Sequence, residues 1–321
     1  MRPADIADDV LDALVVPSFS RIGPALRRRV FHWGPVDLAG RRIAVTGPTS
    51  GLGLAAVHQM AAAGAELVLL ARNRAKADAV AWDLVAAGAA GASVVDLDLA
   101  NLASADRAGE ELAALDRLDA LVHNGGGLHA TRQISEDGIE LTFATHVVAP
   151  FVLTAAALPA LERAPAGRVV TVTSGGMYTQ ALRLDDLQNE RDYKGPVAYA
   201  RAKRAQVDLT ALWANRLANR GVLVHAMHPG WADTPGLAES LPRFRQVIRP
   251  LLRTPDKGAD TITWLCGAPP AEIGTGQLWL DRRPRPVAYR PRTRTSPPDA
   301  RRLWQAVVQL SGRPDPLDAP P

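Results

Sequence analysis

The stretch Arg41 to Arg74, RRIAVTGPTSGLGLAAVHQMAAAGAELVLLARNR, decides the fold of this 321-residue chain. It begins with a short apolar run, Ile43 to Val45, which leads into a glycine-rich turn and then into a helix pattern of small residues. A second apolar run, Glu66 to Leu70, follows the helix pattern. Strand, turn, helix and strand in this order predict a βαβ unit with parallel strands.

The glycine-rich turn has the composition that binding of a dinucleotide requires. Glycines allow the backbone to approach a pyrophosphate, and the N-terminus of the next helix offers unpaired N–H groups and the positive end of its dipole. We therefore expect a dinucleotide to lie against Thr46, Gly47, Thr49, Ser50, Gly51, Leu52 and Gly53.

The end of the second strand indicates which dinucleotide binds. An acidic residue there would accept a hydrogen bond from the ribose of NAD, but the chain has Ala71, Arg72 and Asn73. A guanidinium can bind the 2′-phosphate of NADP with two parallel hydrogen bonds. Arg72 thus predicts NADP(H) in preference to NAD(H); the alternative is a solvated loop arginine.

Further apolar runs predict strands over 92–95, 120–123, 168–173, 222–226 and 277–280. They alternate with helix patterns, which include 75–87, a helix capped by Ser104, 137–161 and 257–265. This alternation predicts an α/β fold, a single Rossmann-type doubly wound sheet of about seven parallel strands with helices on both faces. Ligands of such sheets lie beyond the carboxyl ends of the strands, where Gly47, Arg72, Asp98 and Asn124 all fall.

The sheet domain is predicted to span 37–281, with an extension at each end. In the N-terminal extension, 1–36, we expect two short amphipathic helices broken around Pro17. The C-terminal part, 282–321, is predicted to be an arm rich in proline and arginine that leads to a helix over 297–310, capped by Ser296.

Composition narrows the class of protein. The formal net charge is +4, but much of the excess lies at the two ends, so we expect solvated basic tails and no nucleic-acid site. The single cysteine, Cys266, excludes an internal disulfide; we expect it to be buried, and we expect no metal site. We find no apolar run of membrane-spanning length and no secretory signal, which predicts a cytoplasmic location.

Three arginines, 27 to 29, lie beside Val30, Phe31 and Trp33 in the N-terminal extension. Such a basic and aromatic patch suits peripheral contact with an anionic membrane surface, or cover of a partner subunit. Packing against the chain's own domain is the other interpretation.

Tyr199 and Lys203 carry the catalytic prediction. Their spacing of four residues places both side chains on one face of a helix, one turn apart. A phenol with a pKa of about 10 is a poor proton donor or acceptor at neutral pH, and a nearby ammonium lowers that pKa by favouring phenolate. Tyr199 is therefore a candidate general acid or base.

Five features occur in one order: TGPTSGLG from Thr46, Asp98, NGGG from Asn124, Ser174, and Tyr199 with Lys203. Together they resemble the short-chain dehydrogenase/reductase superfamily over about 40–281. Within it, the stretches VTVTSGGM, LDDLQNER and MHPGWADTPG are similar to the group around dehydrogenase/reductase family member 12. The resemblance implies an NAD(P)-dependent oxidoreductase, commonly a homo-dimer or tetramer built on the helices that carry His146 and Tyr199.

The resemblance also implies a role for each site residue. Ser174 would hold the substrate oxygen, Tyr199 would give or take its proton, and Lys203 would lower the tyrosine pKa and bind the nicotinamide ribose. Asp98 would bind the adenine and Thr234 the carboxamide. The other implied cofactor contacts are Leu99, Asn124, Gly125, Gly126, Pro229 and Gly230. A turn cap at Ser174, a helix-start acid at Asp98 and a loop start at Thr234 are the alternatives.

The chain departs from the family pattern at two places. His146 stands where an asparagine usually holds a water that connects the lysine to solvent, and Gly125-Gly126 stands where Asn-Ala is commoner. Histidine can bond water through either ring nitrogen, but its charge varies near neutral pH. A dinucleotide-binding sensor or scaffold that lost turnover is therefore the alternative to an enzyme.

The predicted substrate contacts form a largely apolar set: His129, Met177, Tyr178, Tyr193 and Trp231. No motif places an arginine there to bind a carboxylate or phosphate. The predicted substrate is therefore a lipophilic ketone, aldehyde or alcohol.

Overall fold

The computed structural model describes residues 2–317, and its centre is one eight-stranded sheet. In chain order the strands are β1 (Arg42–Thr46), β2 (Glu66–Ala71), β3 (Gly91–Asp96), β4 (Ala120–His123), β5 (Gly167–Val172), β6 (Val222–Met227), β7 (Leu278–Leu280) and β8 (Arg283–Arg285). Their spatial order is β3-β2-β1-β4-β5-β6-β7-β8. The order reverses between β1 and β4, which places a ligand crevice at the carboxyl ends of these two strands.

Thirteen helices surround this sheet in the described part of the chain. They are α1 (Pro3–Ala13), α2 (Val15–Phe19), α3 (Ile22–Phe31), α4 (Gly51–Ala62), α5 (Arg74–Ala86), α6 (Leu102–Ala113), α7 (Leu141–Glu162), α8 (Gly195–Arg216), α9 (Pro235–Ser240), α10 (Pro242–Ile248), α11 (Pro255–Gly267), α12 (Pro270–Ile273) and α13 (Pro297–Ser311). Short 3-10 helices include Gly175–Thr179 after β5 and Arg249–Leu251 after α10.

An apolar core lies on each face of the sheet. Helices α6, α7, α8 and α13 cover one face, and α4, α5 and α11 cover the other. Because both faces are covered, the central strands are buried throughout and appear in the sequence as continuous apolar runs. The predicted doubly wound Rossmann-type fold is confirmed. Cys266 is buried in the second core, as predicted, and burial raises the pKa of its thiol to about 12.

The sequence prediction missed β8, which pairs antiparallel with β7 at the edge of the sheet. The two residues of the connecting turn, Asp281 and Arg282, have φ of 54° and 55°. Positive φ at both central residues is the geometry of a type I′ turn, which Asn and Gly usually signal. Arg282 is held in this conformation by two hydrogen bonds to Asp260 of α11, at 2.8 and 2.7 Å.

Two predicted helix starts are also wrong. Helix α6 is capped by Asn101, whose side chain accepts the N–H of Ser104 at 2.8 Å, so Ser104 lies inside the first turn. The helix predicted over 137–161 begins at Leu141, because the Glu140 carboxylate accepts the first free N–H groups of α7. By contrast, the predicted cap of α13 by Ser296 is confirmed.

Helix α7 corrects the expectation that the chain has no apolar run of spanning length. Leu141–Glu162 is long and apolar enough to cross a membrane by length and composition. However, 83% of its most apolar window is buried inside the fold. We therefore assign α7 as a core helix of the Rossmann-type domain.

Three helices, not two, form the N-terminal segment, and buried ion pairs hold them in place. Arg27 of α3 is only 1% exposed, and its guanidinium lies 2.7 Å from both Asp8 of α1 and Asp281 after β7. Arg253 reaches the same Asp281 at 2.6 Å. Arg285 of β8 donates two hydrogen bonds to Asp8, at 2.9 and 3.0 Å. We call Asp8, Arg27, Arg253, Asp281 and Arg285 the ion cluster.

The basic and aromatic patch predicted from Arg27 to Trp33 does not form one surface. Arg27 is buried in the ion cluster, the Phe31 ring lies 4.3 Å from the guanidinium of Arg283, and Trp33 lies 4.9 Å from that of Arg282. Both rings therefore pack against the C-terminal arm. These contacts cross the boundaries drawn from the sequence near 36 and 281, which remain predictions.

Helix α13 covers part of the two helices that were expected to form an oligomer interface. The Trp304 ring lies 4.9 Å from Phe151 of α7 and 4.8 Å from Trp213 of α8, in edge-on geometry. Its indole N–H donates to Asp315 at 2.6 Å. The chain's own C-terminus thus occupies these surfaces of α7 and α8.

Replacing Asp8 with Asn is expected to lower the free energy of unfolding by about 3 kcal/mol, because the buried Arg27 and Arg285 lose a shared counter-charge. Asp9→Asn is the matched control, because Asp9 is exposed on the same helix. This substitution should change the free energy of unfolding by less than about 0.5 kcal/mol. Urea denaturation followed by circular dichroism measures both. Equal losses would contradict this role of the ion cluster.

The Asp8 carboxyl also makes the stability of the fold depend on pH. Burial alone would raise the pKa of Asp8, but Arg285 and then Arg27 outweigh burial and lower the pKa to about 2. Because the unfolded pKa is about 4, the stabilising contribution of Asp8 is complete above about pH 4 and is lost as the pH falls toward 2. In this window the wild type should lose more stability than Asp8→Asn.

Candidate active site

The glycine turn after β1 packs so closely that side chains are excluded. A Cβ at Gly53 would lie 2.1 Å from the Gly47 carbonyl oxygen, and one at Gly47 would lie 2.8 Å from Gly125 Cα. Gly47 and Gly51 have φ of 64° and 54°, which favours glycine. Ser50, the cap residue of α4, makes no side-chain hydrogen bond to the helix, so the first N–H groups of α4 remain available to an anion.

Thr49 and Leu52 belong to the same turn, but their side chains have different surroundings. Thr49 is half-buried beside Ser50. The Leu52 side chain points toward α11, where a Cβ at Gly258 would lie 2.6 Å from it. Leu52 can therefore face a cofactor only through its backbone.

Thr46, the last residue of β1, joins the glycine turn to the loop after β4. Its hydroxyl accepts the N–H groups of Asn124 and Gly125, at 2.9 and 2.8 Å. The Asn124 side chain donates back to the carbonyl oxygens of Thr46 and Gly47, both at 3.1 Å. Leu99 packs against Gly125. These residues form one wall of the crevice between β1 and β4.

Arg72 and Asp98 follow β2 and β3 at the same edge of the sheet. Arg72 is exposed and makes no ion pair within 2–317, whereas Arg74 pairs with carboxylates of α5 and β3. Asp98 accepts the N–H of Ala100 at 2.9 Å, so its carboxylate also shapes the loop that leads to α6.

The segment after β6 contains Pro229, Gly230 and Thr234. Thr234 caps α9, and its side chain packs over Gly51, at the cofactor turn. Gly230 has a φ of 69°, and a Cβ there would lie 2.5 Å from the guanidinium carbon of Arg253. Arg253 and the Phe19 carbonyl oxygen, 2.6 Å from such a Cβ, therefore explain why glycine occupies position 230.

Ser174, Tyr199 and Lys203 come together where β5 ends and α8 begins. Lys203 Nζ donates to the Val172 carbonyl oxygen at 2.8 Å and lies 5.4 Å from the centre of the Tyr199 ring. Ser174 Oγ accepts the N–H of Gly176 at 3.2 Å, so this hydroxyl also caps the following 3-10 helix. The three side chains thus lie together at the carboxyl edge of the sheet.

The pKa values of this pair differ from the prediction. Burial raises the pKa of Tyr199 to about 12, although hydrogen bonding with Ser174 opposes the rise. Burial lowers the pKa of Lys203 to about 7, so its amine is only partly charged at neutral pH. We expected the lysine charge to lower the tyrosine pKa, but the desolvation of both side chains is the larger effect.

His146 lies on a π-helical turn, Ala144–Val148, within α7; such turns are rare and often occur at functional sites. Its Nε2 is 2.8 Å from the Gly127 carbonyl oxygen, which can only accept, so Nε2 carries the proton and Nδ1 is an acceptor. The ring stands edge-on to Tyr199, with centres 5.3 Å apart. Burial, then the charge of Lys203, holds the pKa of His146 well below its usual value, so the expected change of charge near neutral pH is wrong.

The two departures from the family pattern are physically coupled. A Cβ at Gly126 would lie 2.1 Å from Cε1 and 2.6 Å from Nδ1 of His146, and the φ of Gly126 is 137°. An alanine at this position would collide with the imidazole. The histidine in α7 therefore requires glycine in the loop after β4.

One predicted substrate contact does not face this site, and three others contact neighbouring segments. Met177 is fully buried in a small core below the 3-10 helix. Tyr178 donates to a backbone oxygen of the C-terminal arm at 2.9 Å, and its ring lies 4.3 Å from that of Tyr289. Tyr193 donates to the His129 carbonyl oxygen at 3.1 Å, which places these two residues together before α8.

Phe19 of α2 is buried directly behind the loop that follows Ser174, a contact that the sequence interpretation missed. Its ring packs on Gly175, directly after Ser174, where a Cβ would lie 2.6 Å from Phe19 Cε2. It also lies edge-on to Trp231 at 5.9 Å and 4.7 Å from His228. Its carbonyl oxygen accepts the Trp231 N–H at 2.8 Å. No motif in the sequence links Phe19 to Ser174; only its position between two helix patterns sets it apart.

Gly126→Ala is expected to destabilise the wild type by roughly 1–3 kcal/mol, through overpacking against His146 and through backbone strain. In the His146→Asn background the overpacking is relieved and the strain remains, so the loss should be smaller. A double-mutant cycle measured by urea unfolding should give a coupling of about 1 kcal/mol.

Gly127→Ala is the control, since nothing lies within 4 Å of a Cβ at that position. Its effect should be the same in both backgrounds. If Gly126→Ala lowers the free energy of unfolding equally in the wild-type and His146→Asn backgrounds, the glycine at 126 and the histidine at 146 are independent.

Comparison with known proteins agrees with this geometry. The family model for short chain dehydrogenase matches residues 41–243. Dehydrogenase/reductase SDR family member 12 of Bos taurus is 36% identical over 283 residues, which cover 87% of this chain and 88% of the relative. Retinol dehydrogenase 14 of Mus musculus is 32% identical over 279 residues, with 81% and 83% covered.

A solved structure shows the same likeness. The structure from Beutenbergia cavernae reported as an NAD(P) dependent gluconate 5-dehydrogenase with bound NADP is 29% identical and has a TM-score of 0.62. The likeness covers 76% of this chain and 96% of that one. Motifs, fold and relatives agree, and the chain belongs to the short-chain dehydrogenase/reductase family of NAD(P)-binding oxidoreductases.

Proposed function

We propose that the protein transfers a hydride between NADP(H) and a carbonyl or alcohol carbon of a lipophilic substrate, with Tyr199 as general acid and base. The observation that carries this proposal is the grouping of Ser174, Tyr199 and Lys203 at the carboxyl edge of the sheet, the edge at which the glycine turn also lies. Membership of the family supports the reaction class.

The residues at the crevice fit a dinucleotide. The backbone contacts at Gly47 and Gly53 leave the close approach that a pyrophosphate needs, next to the N-terminus of α4. The exposed guanidinium of Arg72 supports NADP(H) over NAD(H), since a 2′-phosphate would bind it without displacing a carboxylate. When bound, the nicotinamide supplies or accepts the hydride.

The chain's own residues position the substrate and move the proton. In the direction of reduction, Ser174 would donate a hydrogen bond to the carbonyl oxygen, and Tyr199 would give its proton to that oxygen as the alcohol forms. Charged Lys203 would stabilise the phenolate left behind. His146 Nδ1 is a buried acceptor with no hydrogen-bond partner among residues 2–317, so we assign it to the water that returns a proton.

Apolar packing next to the site supports a lipophilic substrate. Phe19 and Trp231 pack together beside the loop that follows Ser174. One relative is named for retinol, a lipophilic alcohol. Turnover of small charged acids, with none of lipophilic carbonyls, would overturn this part of the proposal.

Assembly and location belong to the same proposal. A homo-dimer or tetramer would have to use a surface other than the parts of α7 and α8 that α13 covers. The proposed location is cytoplasmic, with peripheral membrane contact through residues 1–36. One observation favours the sensor as the second candidate: at a pKa of about 12, Tyr199 is a weak acid.

Tyr199→Phe is expected to lower turnover of lipophilic carbonyls by roughly 100- to 10,000-fold and to leave NADPH affinity within about twofold. Absorbance decay of NADPH against a panel of ketones and aldehydes measures turnover, and fluorescence titration measures binding. If the wild type binds NADPH and turns over no substrate, the sensor becomes the better account. If it binds neither NADPH nor NADH, the interpretation of the glycine turn is wrong.

Arg72→Ala is expected to weaken NADPH binding by about tenfold and to leave NADH binding unchanged, because only NADPH carries the 2′-phosphate. Arg74→Ala is the matched control, since that guanidinium lies 3.3 Å from the Asp78 carboxylate and 3.5 Å from that of Asp96. Fluorescence titration of each variant with NADPH and with NADH measures these affinities. An equal loss in the two variants would remove Arg72 from its proposed role.

A further inference from the structure

The two faces of helix α1 are arranged in the opposite way from those of an ordinary surface helix, because acidic side chains face the interior and aliphatic side chains face outward. Asp8 and Asp12 face inward, where Arg27 and Arg285 neutralise them. Ile6, Val10 and Leu14 recur every four residues on the outward side. Surface helices normally bury the apolar side and expose the charged one, so this orientation calls for an apolar environment outside.

Helix α3 shows the same inversion. Arg27 faces inward, and Ile22, Leu26 and Val30 recur every four residues on the exposed side. Val15 and Val16 of α2 continue the exposed surface between the two helices. The eight aliphatic side chains, between 41% and 57% exposed, are Ile6, Val10, Leu14, Val15, Val16, Ile22, Leu26 and Val30. We call them the aliphatic face.

Cations border the aliphatic face. Arg21 and Arg29 are exposed next to Ile22 and Val30 of this face, against one exposed carboxylate in 3–31, Asp9. Aliphatic side chains interleaved with arginine suit the boundary between lipid headgroups and acyl chains, where the aliphatic groups insert and the guanidinium groups bind phosphates. A symmetric contact with a second copy fits less well, since it would bring the same arginines toward each other.

We propose that the aliphatic face, with Arg21 and Arg29, docks on an anionic lipid surface. The ion cluster holds α1 and α3 in this orientation before docking, so little ordering accompanies binding. The docking surface differs from the basic and aromatic patch expected from the sequence, because Arg27, Phe31 and Trp33 all face other parts of the chain.

The same segment connects the docking surface to the active site. Phe19, at the end of α2, packs on Gly175 and on Trp231. Trp231 in turn lies 5.8 Å from Phe244 of α10, where Val247 is 80% exposed. A lipophilic substrate could therefore approach the site along Phe244 and Trp231, with buried Phe19 packed behind Trp231. This last step rests on the proposed function, whereas docking itself does not.

Co-sedimentation with vesicles tests the docking. The full chain is mixed with vesicles of phosphatidylcholine, or of phosphatidylcholine with phosphatidylserine, at low and high salt. We expect binding to the anionic vesicles that weakens with salt. Val10→Gln with Leu26→Gln, and separately Arg21→Glu with Arg29→Glu, should each reduce binding by about tenfold or more.

Matched controls lie elsewhere on the surface. Val85→Gln changes a side chain of α5 that is 50% exposed, and Arg292→Glu with Arg294→Glu reverses two exposed arginines of the C-terminal arm. Both controls should bind vesicles as the wild type does. A wild type that stays in the supernatant, or controls that lose as much binding as the test variants, would overturn the proposal.

Two further measurements separate the remaining outcomes. If analytical ultracentrifugation shows a dimer that Val10→Gln with Leu26→Gln converts to a monomer, the face joins two copies and the lipid proposal is wrong. NADPH titration of the same samples should be unchanged by every variant, which shows that the fold is intact. A wild type that docks on vesicles without binding NADPH would overturn the proposed function and leave the docking standing.

Discussion

Neutralisation of buried charge in the ion cluster is the constraint on which both ends of the chain depend. Arg27, Arg253 and Arg285 are almost fully buried, and an unpaired guanidinium there would cost several kcal/mol. Their partners, Asp8 and Asp281, come from α1 and from the turn between β7 and β8, so the network closes only when both segments are in place. Buried ion pairs add little net stability, yet they strongly disfavour other arrangements of the same segments. The orientation of α1 and α3, and with it the outward aliphatic face, follows from this requirement.

Local patterns were sufficient to predict the sheet, because each central strand is an apolar run bounded by its own turn. The parts that were missed depend on contacts between distant residues. Arg27 and Asp281 are 254 residues apart, so no window of sequence shows that they pair. Strand β8 follows a turn whose left-handed residues are Asp281 and Arg282, and tertiary contacts to Asp260 stabilise what the local sequence does not favour. The π-helical turn in α7 inserts one residue without changing the apolar pattern.

In the candidate site, too, some features were predictable from the local sequence and others were not. The spacing of Tyr199 and Lys203 on one helix, and the place of Ser174 at a strand end, are local properties, and the structure brings the three together. Their pKa values are not local, since burial by the surrounding helices raises one and lowers the other. Met177 and Phe19 show the limit of reasoning from sequence neighbours. Met177 is close to Ser174 in sequence and points into the core, whereas Phe19 is far away in sequence and packs on the adjacent glycine.

The histidine at position 146 differs from the usual asparagine in the hydrogen bonds that its side chain can make. An asparagine amide both donates and accepts, but neutral His146 donates Nε2–H to Gly127 and offers only the acceptor Nδ1. A water bound there would have to donate to the imidazole, and it would keep its second proton and its lone pairs for other partners. With a pKa of about 7, Lys203 can release and regain a proton at neutral pH, which a lysine of ordinary pKa cannot do. In the proposed reaction, proton return would therefore not require an ionising group at 146. The exchange to histidine, which Gly126 accommodates, would change the hydrogen bonds that a water makes at this position and would not by itself close the proposed proton path.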